Sequence, residues 1–237
     1  MTPIIVLVHA PVLGPGSWRP VAGELSRAGS RVVVPSLAGF AHGGPPYTPR
    51  LVRLAAEQVH VGPRDDVVVV THSGAGVFAP LLLDALAPGH GAAVFVDAAL
   101  PGPSEAATVV DSGFLPFLRK LAGDGVVPPW PEWWPEEALA PLFPDEATRA
   151  ALTGEAEALP LGFFEETLPP LPDTWRSRRA GYLTFSEPYR QQAGEAARLG
   201  WPVREVPGGH LHMVVIPAEV AAAITQLAAE AAPVAAE

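Results

Sequence analysis

A serine set between two apolar stretches is the residue of this sequence best suited to covalent chemistry. Ser73 lies in Val67–Gly76, "VVVVTHSGAG", and an apolar run, "VFAPLLLDAL", follows it directly. This order predicts a buried strand that turns sharply into a helix, with small neighbours relieving the strain at the serine. A hydroxyl at such a turn is exposed for nucleophilic attack, whereas a serine that only capped the helix would have no catalytic role. The pattern Thr-His-Ser-Gly-Ala is a relaxed form of Gly-x-Ser-x-Gly, and it leaves both interpretations open.

Two histidines near the C-terminus are candidates for the base that a nucleophilic serine requires. His210 and His212 lie in "VREVPGGHLHMVVIP", where a strand pattern ends in a glycine-rich loop. A neutral imidazole can accept the serine proton and later return it to a leaving group. Two residues apart on an extended loop, these side chains should point to opposite sides, so that only one reaches the serine. Beyond this pair the sequence has no histidine spacing typical of metal ligation, and we expect no metal site.

Composition limits the classes of function that need to be considered. The chain has 237 residues, a formal net charge of −10 and no cysteine, and 49% of its residues are hydrophobic. This length and apolar content predict one large α/β domain with a full core. The acidic balance argues against nucleic-acid partners and anionic membranes, and the lack of cysteine excludes thiol catalysis. The N-terminal stretch "MTPIIVLVHA" does not have the pattern of a signal peptide, so we expect a cytoplasmic protein.

The elements that position these residues follow from the alternation of short β-branched runs with longer helical patterns. This alternation predicts a mainly parallel sheet covered by helices on both faces. The predicted strands are Ile4–Val8, Arg31–Pro35, Val67–Thr71, Ala92–Asp97, Gly181–Phe185 and Val203–Val206. The predicted helices are Trp18–Ala28, Thr48–His60, Gly74–Leu86, Gln191–Leu199 and Pro217–Ala232.

The interval 101–180, which we call the lid segment, interrupts this alternation and is rich in proline. It contains "PPWPEWWPEE" and short helical fragments, and it lies between two predicted core strands. We therefore predict a single domain in which residues 1–100 and 181–237 form the core. The lid segment is expected to cover the carboxyl edge of the sheet, where ligands bind in open α/β sheets.

Tryptophans near this edge are candidates to line a substrate pocket, because ligand pockets are mostly apolar and aromatic. The alternative is that the indole rings only hold the lid segment together by packing. The candidates are Trp18, Trp130, Trp133 and Trp134.

Taken together, these motifs resemble the α/β-hydrolase family, in particular its small lid-bearing serine esterases, over nearly the whole chain. "IIVLVHAPVLGPGSW" matches a first strand, a histidine and a loop rich in glycine and proline. "VVVPSLAGF" matches the strand and loop after the first helix, although Ser36 stands where an aspartate is usual. The resemblance implies an α/β-hydrolase fold with Ser73 as the nucleophile. It also implies that His210, at the family's Gly-His position, is the base rather than His212.

Two carboxylates compete for the third position of the catalytic triad. The family usually places its acid in a Gly-x-x-Asp turn after the strand predicted at Gly181–Phe185, but Tyr189 occupies that position and Glu187 lies two residues earlier. A second placement known in the family, at the end of the preceding strand, corresponds to Asp97 in "VFVDAAL". A carboxylate there needs a partner if it is buried, and a histidine N–H would supply one. Asp97 is the favoured acid, Glu187 is the alternative, and a Ser–His pair without an acid is the third option.

The oxyanion hole departs from the family pattern. The resemblance implies one N–H donor from Gly74 and a second from residue 11, but residue 11 is proline and has no N–H. Loss of one oxyanion donor costs about 3–4 kcal/mol of transition-state stabilisation. Either the loop shifts so that Val12 or Leu13 donates, or acyl transfer is not the native reaction.

These residues predict a serine hydrolase that cleaves a small to medium, largely apolar ester or related acyl compound. A non-hydrolytic lyase or cyclase on the same scaffold would use Ser73 and His210 for proton transfer, and Pro11 favours this alternative. A catalytically silent ligand-binding module is the third hypothesis. We expect a small-molecule substrate, no cofactor, and neither a nucleic-acid nor a membrane partner.

Overall fold

A mainly parallel sheet forms the centre of the protein, whose computed structural model describes residues 3–102 and 107–233. The strands are β1 (Ile4–Val8), β2 (Arg31–Val33), β3 (Val67–Ser73), β4 (Ala92–Ala98), β5 (Val126–Val127), β6 (Leu159–Pro160), β7 (Arg179–Thr184), β8 (Val203–Glu205) and β9 (Ala232–Pro233). Six of them form a parallel sheet in the order β2-β1-β3-β4-β7-β8, and β9 pairs antiparallel with β7. Strands β5 and β6 form a separate two-stranded sheet.

Helices connect the parallel strands and cover the sheet. They are α1 (Arg19–Arg27), α2 (Thr48–Ala56), α3 (Ala79–Leu86), α4 (Leu115–Leu121), α5 (Glu136–Leu139), α6 (Glu146–Thr153), α7 (Leu161–Phe164), α8 (Arg190–Arg198), α9 (His212–Val215) and α10 (Pro217–Glu230). Helix α1 packs against α10, and α2 packs against α3. All residues of β4 are buried, as expected for a central strand with helices on both faces. Within residues 3–102 and 107–233, no helix combines the length and hydropathy needed to cross a bilayer.

The structure confirms the predicted α/β fold and alters several boundaries. Strand β2 ends at Val33 rather than Pro35, consistent with a proline that has no N–H to give to the ladder. The helix predicted from Gly74 begins instead as a 3₁₀ turn, and α3 starts at Ala79 with Pro80 in its first turn. Strand β3 extends to Ser73, so the candidate nucleophile is its last residue.

Two glutamates are among the residues that attach the described part of the lid segment to the core. Glu166 accepts hydrogen bonds from the backbone N–H groups of Tyr47 and Thr48, each at 2.6 Å, at the start of α2. Glu155 accepts from the N–H of Gly16 at 2.7 Å and forms an ion pair with Arg19 at 2.8 Å. Carboxylates are favoured at helix N-termini because the first N–H groups there lack intrahelical partners. These contacts hold the lid segment against the loops at the carboxyl ends of the strands.

A buried arginine joins the start of β7 to the end of α3. Arg178 is 1% exposed, and its guanidinium donates to the carbonyl oxygens of Ala87, at 2.8 Å, and of His90. It also pairs with Asp84 at 3.5 Å. The last carbonyl groups of a helix lack intrahelical donors, and a cation placed there satisfies them. Arg178 therefore closes the C-terminal end of α3, the helix that follows Ser73.

We expect Arg178→Met to lower the free energy of unfolding by about 3 kcal/mol, because the buried carbonyl oxygens lose a charged donor. The neighbouring Arg179 forms a half-exposed pair with Asp66 at 3.3 Å, so Arg179→Met is the matched control. That control should change stability by less than about 1 kcal/mol. Urea unfolding of both variants measures the difference, and equal losses would contradict a special role for Arg178.

Candidate active site

Ser73 lies at a strained turn between β3 and the 3₁₀ turn that precedes α3. Its backbone angles are φ 57° and ψ −132°, a conformation that residues other than glycine rarely adopt. The chain turns there beside β4, and a Cβ at Gly76 would overlap the carbonyl oxygen of Ala99. The close approach of β4 thus requires glycine three residues after the serine. The pattern Gly-x-Ser-x-Gly concerns the positions two residues before and two residues after the serine, and it did not identify Gly76.

A continuous chain of hydrogen bonds connects Ser73, His210 and Asp97. The Nε2 atom of His210 lies 3.0 Å from the Oγ of Ser73, and its Nδ1 atom lies 2.8 Å from Oδ2 of Asp97. Because the carboxylate can only accept, Nδ1 carries the proton and Nε2 is free to accept the serine proton. The structure thus brings together a hydroxyl, an imidazole and a carboxylate in the order required for nucleophilic catalysis.

The carboxylate of Asp97 is fully buried and surrounded by donors. Its Oδ1 accepts from the backbone N–H groups of Phe185 at 2.8 Å and Ser186 at 3.1 Å. Its Oδ2 accepts from the hydroxyl of Ser186 at 2.5 Å in addition to His210. Burial by itself would raise the pKa of Asp97, but the hydrogen bonds from His210, Ser186 and Phe185 outweigh it and lower the pKa below its usual value. Asp97 is therefore ionised next to the imidazole at neutral pH.

The alternative acid and the alternative base lie outside this chain of hydrogen bonds. The side chain of Glu187 is 84% exposed and forms an ion pair with Arg190 at 2.7 Å. His212 starts α9, and its ring contacts Phe185 at a centroid distance of 5.9 Å. Burial lowers the pKa of His212. Neither residue is hydrogen-bonded to Ser73 or to the imidazole of His210 in the described part of the chain.

Tyr189 belongs to the site and was missed as a site residue in the sequence analysis. Its hydroxyl oxygen lies 3.2 Å from the Oγ of Ser73, and its ring is stacked on that of His210, with centroids 4.9 Å apart and planes 3° from parallel. Burial raises the pKa of Tyr189 to about 12, so the phenol stays protonated at neutral pH. The sequence did contain a signal for Tyr189, because it occupies the position at which the family resemblance places the catalytic acid.

The residues behind the imidazole are buried and hold it in place. The Nε2–H group of His72 donates to the backbone carbonyl of His210 at 2.9 Å, and the two rings lie 4.5 Å apart. Burial lowers the pKa of His72 well below its usual value, and it is therefore neutral. Trp18, which is fully buried, packs edge-on against His72 with centroids 6.1 Å apart. This contact places Trp18 behind the site rather than at its surface.

The other three candidate tryptophans lie in the lid segment. Trp130 and Trp133 are buried, and the indole N–H of Trp133 donates to the carbonyl of Pro128 at 2.7 Å. Trp134 is 38% exposed and stacks on Phe117 with centroids 5.4 Å apart. These contacts are packing within the lid segment, and a role in substrate binding stays a prediction.

The loop after β1 determines which oxyanion donors are available. The N–H of Leu13 donates to the carbonyl of Ala10 at 2.9 Å and closes a turn with Pro11 and Val12 at its corner. Leu13 therefore has its N–H engaged, whereas the N–H of Val12 has no acceptor within the described residues. Beside Gly74, apart from its chain neighbours and the backbone of its own turn, no atom of the described residues lies within 4 Å of the place that a Cβ would occupy. Space for a ligand atom thus exists next to the residue after the candidate nucleophile.

A cavity of about 280 Å³ lies between the loops after β1 and β2 and the lid segment. Its wall is mixed in polarity, and the polar groups include two glutamates of the lid segment and the buried ring of His9. None of the four candidate tryptophans contributes to this wall, and neither does Ser73. The residues that line it are His9, Pro11, Leu13, Gly14, Pro15, Ser36, Leu37, Ala38, Phe40, Gly154, Glu155 and Glu157.

His9 ties the two loops together in its neutral form. The imidazole accepts at Nε2 from the N–H of Leu37 at 3.2 Å, and its Nδ1–H donates to the carbonyl of Ala10 at 2.8 Å. Burial lowers the pKa of His9 from 6.5 to about 4. Protonation would replace the Nε2 lone pair with a second N–H and break the bond to Leu37.

We expect the free energy of unfolding to fall as the pH is lowered from 6.5 towards 4, because the unfolded chain protonates His9 and His72 in this range and the folded chain does not. Each such histidine contributes a slope of up to about 1.4 kcal/mol per pH unit. His9→Gln keeps an acceptor for Leu37 but cannot titrate. Urea unfolding between pH 7 and pH 4.5 should therefore give a shallower slope for His9→Gln than for the wild type, and equal slopes would refute the assignment.

A profile of the alpha/beta hydrolase family matches residues 5–223. Among curated protein sequences, none matches this chain significantly. An extracellular alpha/beta-hydrolase from a Paenibacillus species has a similar structure over 95% of this chain and 98% of that chain, with a TM-score of 0.68 and 19% identity.

Two further solved structures are similar at comparable identities. Polyneuridine aldehyde esterase matches 96% of this chain and 99% of its own, with a TM-score of 0.71 and 20% identity. A variant of tomato methylketone synthase I matches 97% of this chain and 98% of its own, with a TM-score of 0.73 and 16% identity. At these identities the likeness establishes a shared fold.

Proposed function

This chain belongs to the alpha/beta hydrolase family, and on that premise we propose that it is a serine hydrolase acting on a small to medium, largely apolar ester. The observation that carries the proposal is the hydrogen-bonded chain from Ser73 through His210 to the buried Asp97. The same three groups, connected by the same hydrogen bonds, perform acyl transfer on several unrelated folds. The strained backbone of Ser73 adds support, because strain of this kind is concentrated at functional residues.

In the proposed reaction, Ser73 Oγ attacks the ester carbonyl carbon while its proton passes to Nε2 of His210. The carbonyl π bond opens to an oxyanion, and the positive imidazolium is stabilised by Asp97. The tetrahedral intermediate then collapses, the ester C–O bond breaks, and His210 returns the proton to the leaving oxygen. A water molecule repeats these steps on the acyl-serine, which releases the carboxylic acid and restores Ser73.

The oxyanion needs hydrogen-bond donors that strengthen as charge develops on it. We assign one of them to the N–H of Gly74, the residue after Ser73, whose Cα has open space on its side-chain side. The second donor is the N–H of Val12, since Pro11 has none and Leu13 donates to Ala10. This assignment predicts a shifted oxyanion loop rather than a missing donor.

The cavity beside this loop is lined by Pro11 and Leu13, on either side of Val12, but not by Ser73 or His210. Its volume of about 280 Å³ is just below the usual range of ligand pockets, so it has room only for a small group of a substrate bound at Ser73. The lid segment closes one side of the cavity through Glu155, whose carboxylate is already paired with Arg19 and the N–H of Gly16.

A non-hydrolytic lyase or cyclase is the second candidate, and Pro11 is the observation that favours it. Without a full oxyanion hole, Ser73 and His210 would serve as a proton-transfer pair on a bound substrate. One structural neighbour is named a synthase, so this scaffold is used by enzymes that are not named hydrolases. A catalytically silent binding module is a weaker third candidate, because the Ser–His–Asp chain of hydrogen bonds would then have no use.

A serine-directed fluorophosphonate and a series of p-nitrophenyl esters, from acetate to octanoate, distinguish these candidates. The proposed hydrolase should be labelled on Ser73 and should turn over the esters, with a preference for the shorter acyl chains. Labelling without turnover of any ester would favour the lyase or cyclase. Failure of both would favour the binding module and refute the proposal.

A further inference from the structure

Tyr189 contacts the reacting atom of the proposed mechanism but has no role in the steps described above. It ends the short 3₁₀ turn Glu187–Tyr189 that follows β7, which brings its hydroxyl oxygen to 3.2 Å from Ser73 Oγ. The ring lies flat on the imidazole of His210, with centroids 4.9 Å apart. A phenol in van der Waals contact with the base and within hydrogen-bond distance of the nucleophile is well placed to act on the reaction.

The direction of the hydrogen bond follows from the partners of Ser73. The Nδ1–H of His210 is used by Asp97, so Nε2 must accept, and the only proton of the serine hydroxyl is directed to it. The contact between Ser73 and Tyr189 is then a donation from the phenol to a lone pair of Oγ. Tyr189 is therefore a fixed donor aimed at the oxygen that attacks the substrate.

We propose that Tyr189 is a further catalytic residue, whose hydroxyl donates a hydrogen bond to the leaving-group oxygen of the ester beside His210. This inference rests on the proposed esterase function. Once Ser73 Oγ is bonded to the acyl carbon, the second oxygen that must come within reach of Nε2 is the one that leaves. The ring of Tyr189 is stacked on the imidazole, so the Tyr189 hydroxyl can reach an oxygen that lies next to Nε2 of His210.

The chemical balance of this step leaves the tyrosine unchanged. The bond between the acyl carbon and the leaving oxygen breaks, and the proton for that oxygen comes from Nε2 of His210. Tyr189 keeps its own proton and stabilises only the negative charge that builds up on the leaving oxygen. Its contribution should therefore grow with the basicity of the leaving group, being large for an alkoxide and small for p-nitrophenolate.

The test compares Tyr189→Phe with the wild type on two esters of the same acid, an ethyl ester and a p-nitrophenyl ester. Phenylalanine keeps the ring over His210 and removes only the hydroxyl. We expect kcat/KM to fall about 10- to 100-fold for the ethyl ester, as for the loss of a hydrogen bond to a charged group. For the p-nitrophenyl ester, kcat/KM should change less than about threefold. The rate of labelling by a fluorophosphonate should change equally little, because both leaving groups depart without help from a hydrogen-bond donor.

Tyr182→Phe is the matched control, because it also removes a buried tyrosine hydroxyl. That hydroxyl donates to the carbonyl of Ala98 at 2.8 Å and has no described contact with Ser73. Its loss should change the rates for the two esters by the same factor. A similar parallel change in Tyr189→Phe, or no change on either ester, would overturn the role of Tyr189 and leave the esterase function intact. Absence of ester turnover by the wild type, in contrast, would overturn the proposed function itself.

Discussion

Ser73→Ala and His210→Ala should each lower kcat for ester hydrolysis by about 10⁵- to 10⁶-fold, and the double variant should be no slower than either single one. Nucleophile and base act as a unit, so that removal of one leaves the other without a function. In the structure this unit is the 3.0 Å contact between Ser73 Oγ and Nε2 of His210. The small residual rate would come from binding and the oxyanion donors alone.

His212→Ala is the control for this experiment, since His212 is two residues away and packs against Phe185. It should affect stability or rate only modestly. The measurement is kcat on the best p-nitrophenyl ester, together with fluorophosphonate labelling, which Ser73→Ala should abolish. A loss of activity in His212→Ala that equals the loss in His210→Ala would show that the base is wrongly assigned.

Asp97→Asn should lower kcat by about 10⁴-fold, as expected when the carboxylate of a Ser–His–Asp triad is replaced. The two backbone donors at Oδ1, from Phe185 and Ser186, require the amide oxygen of the asparagine to occupy that position. The amide NH₂ group must then face Nδ1 of His210. A donor at that position makes Nδ1 an acceptor and moves the imidazole proton to Nε2, where it blocks proton transfer from Ser73.

Glu187→Gln is the matched control for the acid, because Glu187 is exposed and paired with Arg190. Its effect on kcat should be less than about threefold, as for other exposed ion pairs. The ¹⁵N chemical shifts of His210 in Asp97→Asn report the tautomer independently of the rate. If Asp97→Asn kept both the wild-type tautomer and the wild-type rate, the pair of Ser73 and His210 would be working without an acid.

The parts of the site that depend on local sequence were predictable. Four valines followed by Thr-His-Ser and small residues predicted both the central strand and the turn at Ser73, because burial and strain act there within ten residues. The two glycines before His210 identified its loop for the same reason. The strand that carries Asp97 was also predicted, since its preceding residues are all apolar and fully buried in the sheet.

The contacts that decide between alternatives are not local. The choice between Asp97 and Glu187 depends on the donors of Phe185 and Ser186, which the fold brings close from 88 and 89 residues away. Tyr189 and Ser73 are 116 residues apart, and their loops meet because β4 pairs with both β3 and β7. The contacts of Glu155 and Glu166 are equally non-local, because their hydrogen-bond partners lie more than a hundred residues earlier in the chain. No hydrophobic periodicity contains this information, and the family resemblance only marked the positions of Asp97 and Tyr189.

The presence of Asp97 on β4 and Tyr189 after β7 has a consequence for how such a site can change during evolution. The imidazole of His210 is touched from the ends of two neighbouring strands, and a carboxylate is needed from only one of them. An ancestor with acids at both places would carry a spare, and either acid could be lost without an inactive intermediate. The vacated position would then be free to acquire an unrelated side chain, such as a phenol. Sequence comparisons that score only the position after β7 would therefore count this chain as lacking an acid, although its carboxylate is on the adjacent strand β4.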